Sequence, residues 1–514
     1  MDRRKCLLGT LVSLGGAPLA QPVYAEGKLF PDPFTLGVAS GDVTDSSSVL
    51  WTRLAPAPLQ ANGGMPDVYL NQGVSVDWAL SLTQDMSQII RRGQLTTDSA
   101  WAHSVHVEVE GLDAGKTYWY QFRAGGYRSP IGRTKTLPSS NTSIDSARFV
   151  TASCQNYSHG HFVAYRHMVD DNPDFVIHLG DYIYDTSFGE TFRKHDTETA
   201  PTTLDEYRRR HALYKTDKDL QRAHAQIPFF VSIDNHDALE DNDPSKAQQR
   251  AAAYQAWYEH MPVRGYQAQG DNHIDIKRRI TLGNLAQISL LDARQFRDTR
   301  ELCSGDYDAN YGFGNYRERC QAVFANERSL LGEAQERWLT GVIRENKKPW
   351  NVLASPGPFL PFTYQHKGKD LRYIGAWDAY PANRARVARA FAEAKTGHPL
   401  ILSGDVHSFW AVDGNRTILP DEQFPLVEFV TSALSANWPP PLAQPVTDNL
   451  PNNPQVEFYD PLYRGYLLHD INSKVWTTKA RAIDDMKDLH SAVRTLASFQ
   501  VRQGEPGFRL ESLD

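Results

Sequence analysis

The run Phe175-Val176-Ile177-His178-Leu179-Gly180-Asp181-Tyr182-Ile183-Tyr184 opens on five residues, four of them apolar, and then breaks at a glycine followed by an aspartate. An apolar run that short, with β-branched residues at its centre, predicts a strand buried on both faces rather than a helix. Three further runs end in the same manner. Phe149-Val150-Thr151-Ala152 leads into Ser153-Cys154-Gln155, and Phe229-Phe230-Val231-Ser232-Ile233 into Asp234-Asn235-His236-Asp237. Leu400-Ile401-Leu402 leads into Ser403-Gly404-Asp405-Val406-His407. Residues 285–291 and 350–354 add two more buried strands, and helical stretches lie between them at 204–225 and 334–346. Strands alternating with helices predict an α/β body, and functional groups gathered where strands end are the usual layout of its site.

Outward from this body the texture changes. Between about Phe34 and Leu137 short alternating runs predict strands at Val49–Arg53, Val74–Trp78 and Ser104–Val109. The stretch from Gly111 to Phe122 resembles the turn and corner tyrosine of fibronectin type III sandwiches. The reading is therefore an all-β module at 26–138, a polar linker at 139–146 and the α/β body at 147–514, with a hairpin-like return at 464–468 and 475–479. Residues 1–25 carry Arg3-Arg4-Lys5, a mildly apolar stretch and a Val23-Tyr24-Ala25 cleavage pattern, which predict a signal peptide of the twin-arginine type, with ordinary secretion as the other route. Export to the periplasm or beyond follows, with the twin-arginine machinery as partner. No later run is long and apolar enough to span a bilayer.

Composition narrows the function. At 514 residues the chain is too long for one core, and 54 basic against 61 acidic residues give a net charge of −7. That balance excludes a coat or scaffold for nucleic acid but leaves room for a small site that takes an anionic substrate. After removal of the leader three cysteines remain. Cys303 and Cys320 flank a Gly-, Asp- and Tyr-containing loop that an oxidising compartment would favour closing as a disulfide. Cys154 is left as either buried filler or a ligand.

The side chains at the four strand ends point to metal chemistry. Cys154, Asp181, Tyr184 and His407 form an anionic set suited to trivalent iron, whereas Asn235 and Asp405 suit calcium or another oxygen-loving divalent ion, with Asp181 able to bridge the two. Two cations so placed would hold a hydroxide for in-line attack on a phosphoryl group. His236, beside Asn235, is placed to protonate the departing alkoxide, its ring oriented by Asp237 or Asp234. Glycine before Asp181 and Asp405 predicts a tight turn out of the sheet. Other candidates read as structural: Asp98-Ser99-Ala100 as a surface loop, His178 as a core histidine, His159 and His161 as exposed loop. Arg294 and Arg297 read equally as phosphate contacts or as ion pairs with Asp292 or Asp298.

These motifs, together with Phe34 to Leu54, Ala164-Tyr165-Arg166-His167, the run Leu291 to Asp298 and Trp377-Asp378-Ala379-Tyr380-Pro381, resemble the PhoD-type alkaline phosphatase and phosphodiesterase family of the calcineurin-like metallophosphoesterases. The resemblance covers nearly the whole chain. It implies a metallophosphoesterase β-sandwich flanked by helices and preceded by a fibronectin- or Ig-like domain. It also implies Fe3+ at Cys154, Asp181, Tyr184 and His407, Ca2+ or another divalent metal at Asp181, Asn235 and Asp405, and catalysis by Asn235 and His236. Where the family often has Trp-Asp-Asp-His-Glu this chain has Ile233-Asp234-Asn235-His236-Asp237, one charge fewer at the second metal. The expected activity is hydrolysis of phosphate monoesters or diesters, a phospholipase D-like phosphodiesterase being the nearest alternative. A secreted binding protein with a structural metal site is the remoter one.

Overall fold

Phe175–His178 is a strand buried along its whole length, and its side chains divide between two cores. Phe175 and Ile177 point into a core shared with a second sheet, and Val176 into a core shared with helices, as the period of two requires. The computed structural model describes residues 30–239, 244–265, 273–300, 303, 316–318, 320–417 and 424–513. The leader read at 1–25 lies outside the described residues.

Phe175–His178 pairs in parallel with Ala147–Ala152 on one side and Phe229–Val231 on the other. Beyond them a ten-stranded sheet continues through Val38–Gly41 at one flank and the antiparallel return Arg464–Ile471 and Val475–Ile483 at the other. A seven-stranded sheet faces it. Its four parallel strands are Ala286–Leu290, Trp350–Ser355, His398–Ser403 and Val427–Val430. Phe149, Phe175, Ile288, Val352, Leu402, Phe429 and Trp476 fill the space between the sheets. Helices Ala164–Asp171, Leu204–Lys215, Lys218–Gln226 and Ala247–His260 supply the core on the outer face of the first sheet, and Gly332–Glu345 and Pro381–Glu393 that of the second. The body is thus two mixed sheets packed face to face between helical layers.

One sequence expectation needs correction. The helix read at 204–225 is two helices, because Asp217 caps the second by accepting from the backbone N–H of Asp219 and Leu220 at 3.0 and 3.2 Å. A capping side chain inside a helical run offers the backbone another partner and ends the first helix there. Val38–Gly41 is a strand of the large sheet, paired with Phe229 through Gly41. The N-terminal strands make two layers around Phe34, Leu50, Val76, Val107, Tyr120 and Phe122, one layer being the end of the large sheet. The corner tyrosine is Tyr118, whose hydroxyl accepts from Asp113 N–H at 2.9 Å.

Cys303 and Cys320 are disulfide-bonded with Cα atoms 5.7 Å apart, and Cys154 is free and buried. Among the described residues no helix is long and apolar enough to cross a membrane.

Candidate metal centre

All four strand ends open on the same side of the paired sheets, and the backbone there is forced into unusual conformations. Cys154, Asp181, Asp405 and His407 all have positive φ, between 50° and 74°. That region costs non-glycine residues energy and is tolerated where the surroundings over-determine it. Gly180 takes φ +116°, a conformation that favours glycine, as the expected turn requires, and a Cβ on it would also lie 2.5 Å from Cβ of Asp234. Gly404 has no positive φ; a Cβ on it would lie 2.6 Å from Oγ of Ser153, so it permits close approach of neighbouring strand ends while Asp405 itself takes the turn.

Asp237 fixes the first of these turns. Its Oδ2 accepts from the backbone N–H of Asp181 and Asp234 at 2.7 and 2.9 Å, and its Oδ1 from Tyr182 and Ile183 at 2.8 and 3.1 Å. Asp181 and Tyr184 are thereby aimed inward together. The Tyr184 hydroxyl lies 3.1 Å from Asp181 Oδ2 and 2.9 Å from His407 Nε2, and Cys154 Sγ lies 3.5 Å from the same Asp181 oxygen. His407 donates its Nδ1–H to the carbonyl of Asn437 at 3.0 Å, which leaves the Nε2 lone pair facing the group. Ligand atoms of Asp181, Asp234 and Asp405 form a second cluster within 4.8 Å of one another, so Asp181 belongs to both. Asn235 adjoins this cluster through Arg294, whose Nη2 is 3.3 Å from Asn235 Oδ1 and 3.8 Å from Asp405 Oδ1.

Burial makes the assembly electrostatically costly. It pushes the Cys154 thiol well above its ordinary range, with Asp181 and Asp405 adding to the effect, and the Tyr184 phenol likewise beside Asp181. Burial and Asp234 raise Asp405 to about 8 against the pull of Arg294; burial raises Asp181 to about 6 against that of His236. His407 is held neutral, at about 3, chiefly by burial. Burial biases the thiol, phenol and carboxyl groups toward their protonated forms, and multivalent cations would favour the anionic forms instead. The donor set fits two metals: sulfur, phenolate, carboxylate and imidazole at one end, oxygen donors alone at the other.

Comparison with known proteins gives the arrangement its family. The family described as PhoD-like phosphatase matches residues 149–480, and its N-terminal domain matches residues 21–138. The chain belongs to the PhoD-like phosphatases. Alkaline phosphatase D of Bacillus subtilis (strain 168) is 36% identical over a 538-residue alignment that covers 99% of this chain and 89% of that protein. A solved structure of PhoD matches with a TM-score of 0.83 at 33% identity, covering 94% of this chain and 93% of that one. A purple acid phosphatase from yellow lupin (Lupinus luteus) seeds shares the fold, with a TM-score of 0.56 at 11% identity over 91% of this chain and 73% of that one. The chain is thus a homologue of alkaline phosphatase D and a metal-dependent hydrolase of phosphoric esters.

Around the centre of this PhoD-like phosphatase several roles differ from the sequence reading. The ring of His236 is oriented not by Asp237 or Asp234 but by Asp185, whose Oδ1 accepts from Nδ1–H at 2.6 Å, and it stacks on Tyr184 with centroids 4.2 Å apart. Burial opposes ionisation of Asp185, yet the hydrogen bond and charge of His236 bring its carboxyl below the usual range. Arg294 pairs with Asp234, not Asp292 or Asp298. His159 is buried rather than in an exposed loop: it accepts from Asn437 N–H at 2.9 Å and donates to the carbonyl of Phe188 at 2.6 Å, tying together two loops beside His407. His178 is a buried core histidine that accepts from Gly180 N–H at 3.4 Å, and Asp98 caps an exposed turn at Ser99. Asp185 carried no signal beyond its place one residue after Tyr184, and Asp234 looked like a helper of His236 because it adjoins Asn235.

Asp237 generates the first prediction. Asp237→Ala leaves four backbone donors without their acceptor, and each orphaned buried group costs about 1–3 kcal/mol. Denaturant melts should show a loss of at least about 3 kcal/mol, with reduced metal content in the purified protein; a variant within about 0.5 kcal/mol of the parent would remove Asp237 from this role.

Proposed function

We propose that Cys154, Asp181, Tyr184 and His407 hold a ferric ion, that Asp181, Asn235 and Asp405 hold calcium or another divalent ion, and that His236 serves as the proton donor in hydrolysis of phosphate monoesters and diesters. The observation that supports this most directly is the meeting of a thiol, a carboxylate, a phenol and an imidazole, from three strand ends, within hydrogen-bond reach in a buried pocket. When bound, the metals supply charge neutralisation at the phosphoryl oxygens and activation of water.

The chain's own residues do the rest. His236 donates Nδ1–H to Asp185, and that carboxylate orients the ring and would stabilise its protonated form as Nε2 delivers a proton to a leaving alkoxide. Stacking on Tyr184 fixes the plane of the ring. Arg294 spans Asp234, Asn235 and Asp405 and keeps the oxygen donors in register while limiting their mutual repulsion. A binding protein with a purely structural metal would have no use for a histidine–aspartate pair beside the donors, which favours the enzyme. Residues 26–138 fit a fibronectin-like module fused to the 147–514 catalytic body through the Gly41–Phe229 pairing. Residues 1–25 fit a twin-arginine leader, consistent with export to the periplasm or beyond.

Purified protein should contain iron and absorb visible light by charge transfer from Tyr184 or Cys154. Cys154→Ser should lower iron content and shift the band, since a hydroxyl is a poorer anionic ligand; an unchanged spectrum and stoichiometry would return Cys154 to inert filler. His236→Ala should keep both metals yet lower kcat by about 10² to 10⁴ on esters of poor leaving groups, and by less on nitrophenyl esters. Equal losses on both, or loss of metal, would refute the proton-donor role. For export, replacing Arg3 and Arg4 together by Lys should strand the folded protein in the cytoplasm, and normal export would mean the ordinary secretory route.

A further inference from the structure

A cavity of about 400 Å³ begins at Asp181, Asn235, His236, Asp405 and His407 and continues away from them along the outer face of the seven-stranded sheet. Its far wall, among the described residues, is apolar. Leu360, Phe362, Trp410, Val412, Val430 and Val446 face it, from two strands, the loop before Tyr364 and the helix Pro440–Asn449, and all six are buried against solvent.

Most polar groups that reach this wall are already engaged, the ring N–H of Trp438 being an exception. Glu428 accepts from Phe359 N–H and the Ser403 hydroxyl with Oε1 and from Leu360 N–H with Oε2, at 2.6–2.7 Å. Asp378 is paired with Arg384, Trp410 donates its ring N–H to Ser408 at 2.8 Å, and Tyr316 and Tyr364 join their hydroxyls at 3.1 Å. A sugar, glycerol or nucleobase entering here would lose its hydrogen bonds to water and find few replacements. A hydrocarbon chain loses nothing, and it recovers the free energy of apolar surface leaving water.

We propose that this cavity is a subsite for the alkyl chain of an alkyl phosphate ester, seated with its phosphoryl group at the metal centre and its chain against Phe362, Trp410 and Val446. The proposal rests on the phosphoesterase reading of the centre and names a substrate class for it. Its specificity comes from burial of methylenes, each worth about 0.8 kcal/mol, or roughly a threefold to fourfold change in affinity.

The test uses the intact metal-loaded enzyme and n-alkylphosphonates from methyl to octyl as competitive inhibitors of p-nitrophenyl phosphate hydrolysis. The inhibition constant should fall by about threefold per methylene and then level off once the cavity is filled. For n-alkyl phosphates, kcat/KM should rise by a similar factor per methylene and level off at the same chain length. Val446→Phe, which intrudes on the cavity, should flatten both series. An inhibition constant that changes by less than about twofold from methyl to octyl in an active enzyme overturns the subsite and leaves the phosphoesterase reading intact. An equal slope in Val446→Phe overturns it too, and if that variant fails to fold, the series in the unmodified enzyme decides. Metal-loaded protein inactive on every ester refutes both readings together.

Discussion

Asp237 satisfies four backbone N–H groups with one buried carboxyl, three of them in the turn from Gly180 to Ile183. Those donors lie beyond the end of the ladder, where a strand's hydrogen bonds run out and the chain has not yet begun a helix. Because two donors sit on each oxygen, the group fixes the backbone on either side of the gap between neighbouring strand ends. Asp181 is thereby turned to positive φ and its carboxylate carried into the position between the two donor clusters. Its Oδ1 accepts in turn from His236 N–H at 3.1 Å, so the same clamp sets the start of the loop that carries His236.

The other half of the site is stitched on in a similar way. Ser153 forms an isolated bridge with Ala433, and its carbonyl accepts from Leu434 N–H at 2.9 Å, joining the ends of the two sheets where they meet. Arg464, at the start of the C-terminal return, donates to the carbonyl of His407 from a fully buried position. Burial draws that guanidinium down to about 10, so it is held at a cost in solvation by the carbonyls it serves. The result is a cleft in which the candidate donors, with positive φ at Cys154, Asp181, Asp405 and His407, are held from both sheets. A cation bound there would gain from that fixed geometry and from release of the repulsion among Asp181, Asp234 and Asp405.

Much of this was legible in the sequence because the informative residues sit at a fixed place relative to a strong signal. A short apolar run ending in Gly-Asp announces both a strand and the side chain exposed at its end, and the same rule placed Cys154, Asn235 and His407. Contacts between residues distant in sequence left no such trace. Asp185 holds His236 from 51 positions away, Arg294 reaches Asp234 across 60, and His159 joins Phe188 to Asn437. In each case the residue type allowed several partners, and only the packing of strand ends, within one sheet or between the two, chose among them. The break at Asp217 was missed for the opposite reason: its signal is local, but it lies inside a run whose composition favours helix throughout.

The division of labour between the two sheets also explains where specificity can reside. The ten-stranded sheet supplies Cys154, Asp181, Tyr184, Asn235 and His236, all within a few residues of parallel strands pinned by the inter-sheet core. Little can change there without moving a ligand. The seven-stranded sheet contributes Asp405 and His407 from one strand end, while the outer face of its neighbours, with the helix Pro440–Asn449, carries side chains that touch the cavity but no metal donor. Substitutions on that face alter the volume and polarity beside the phosphoryl site and leave the donor geometry untouched. On the proposed reading of the centre and its cavity, a fold arranged this way keeps one reaction and varies the alcohol it releases.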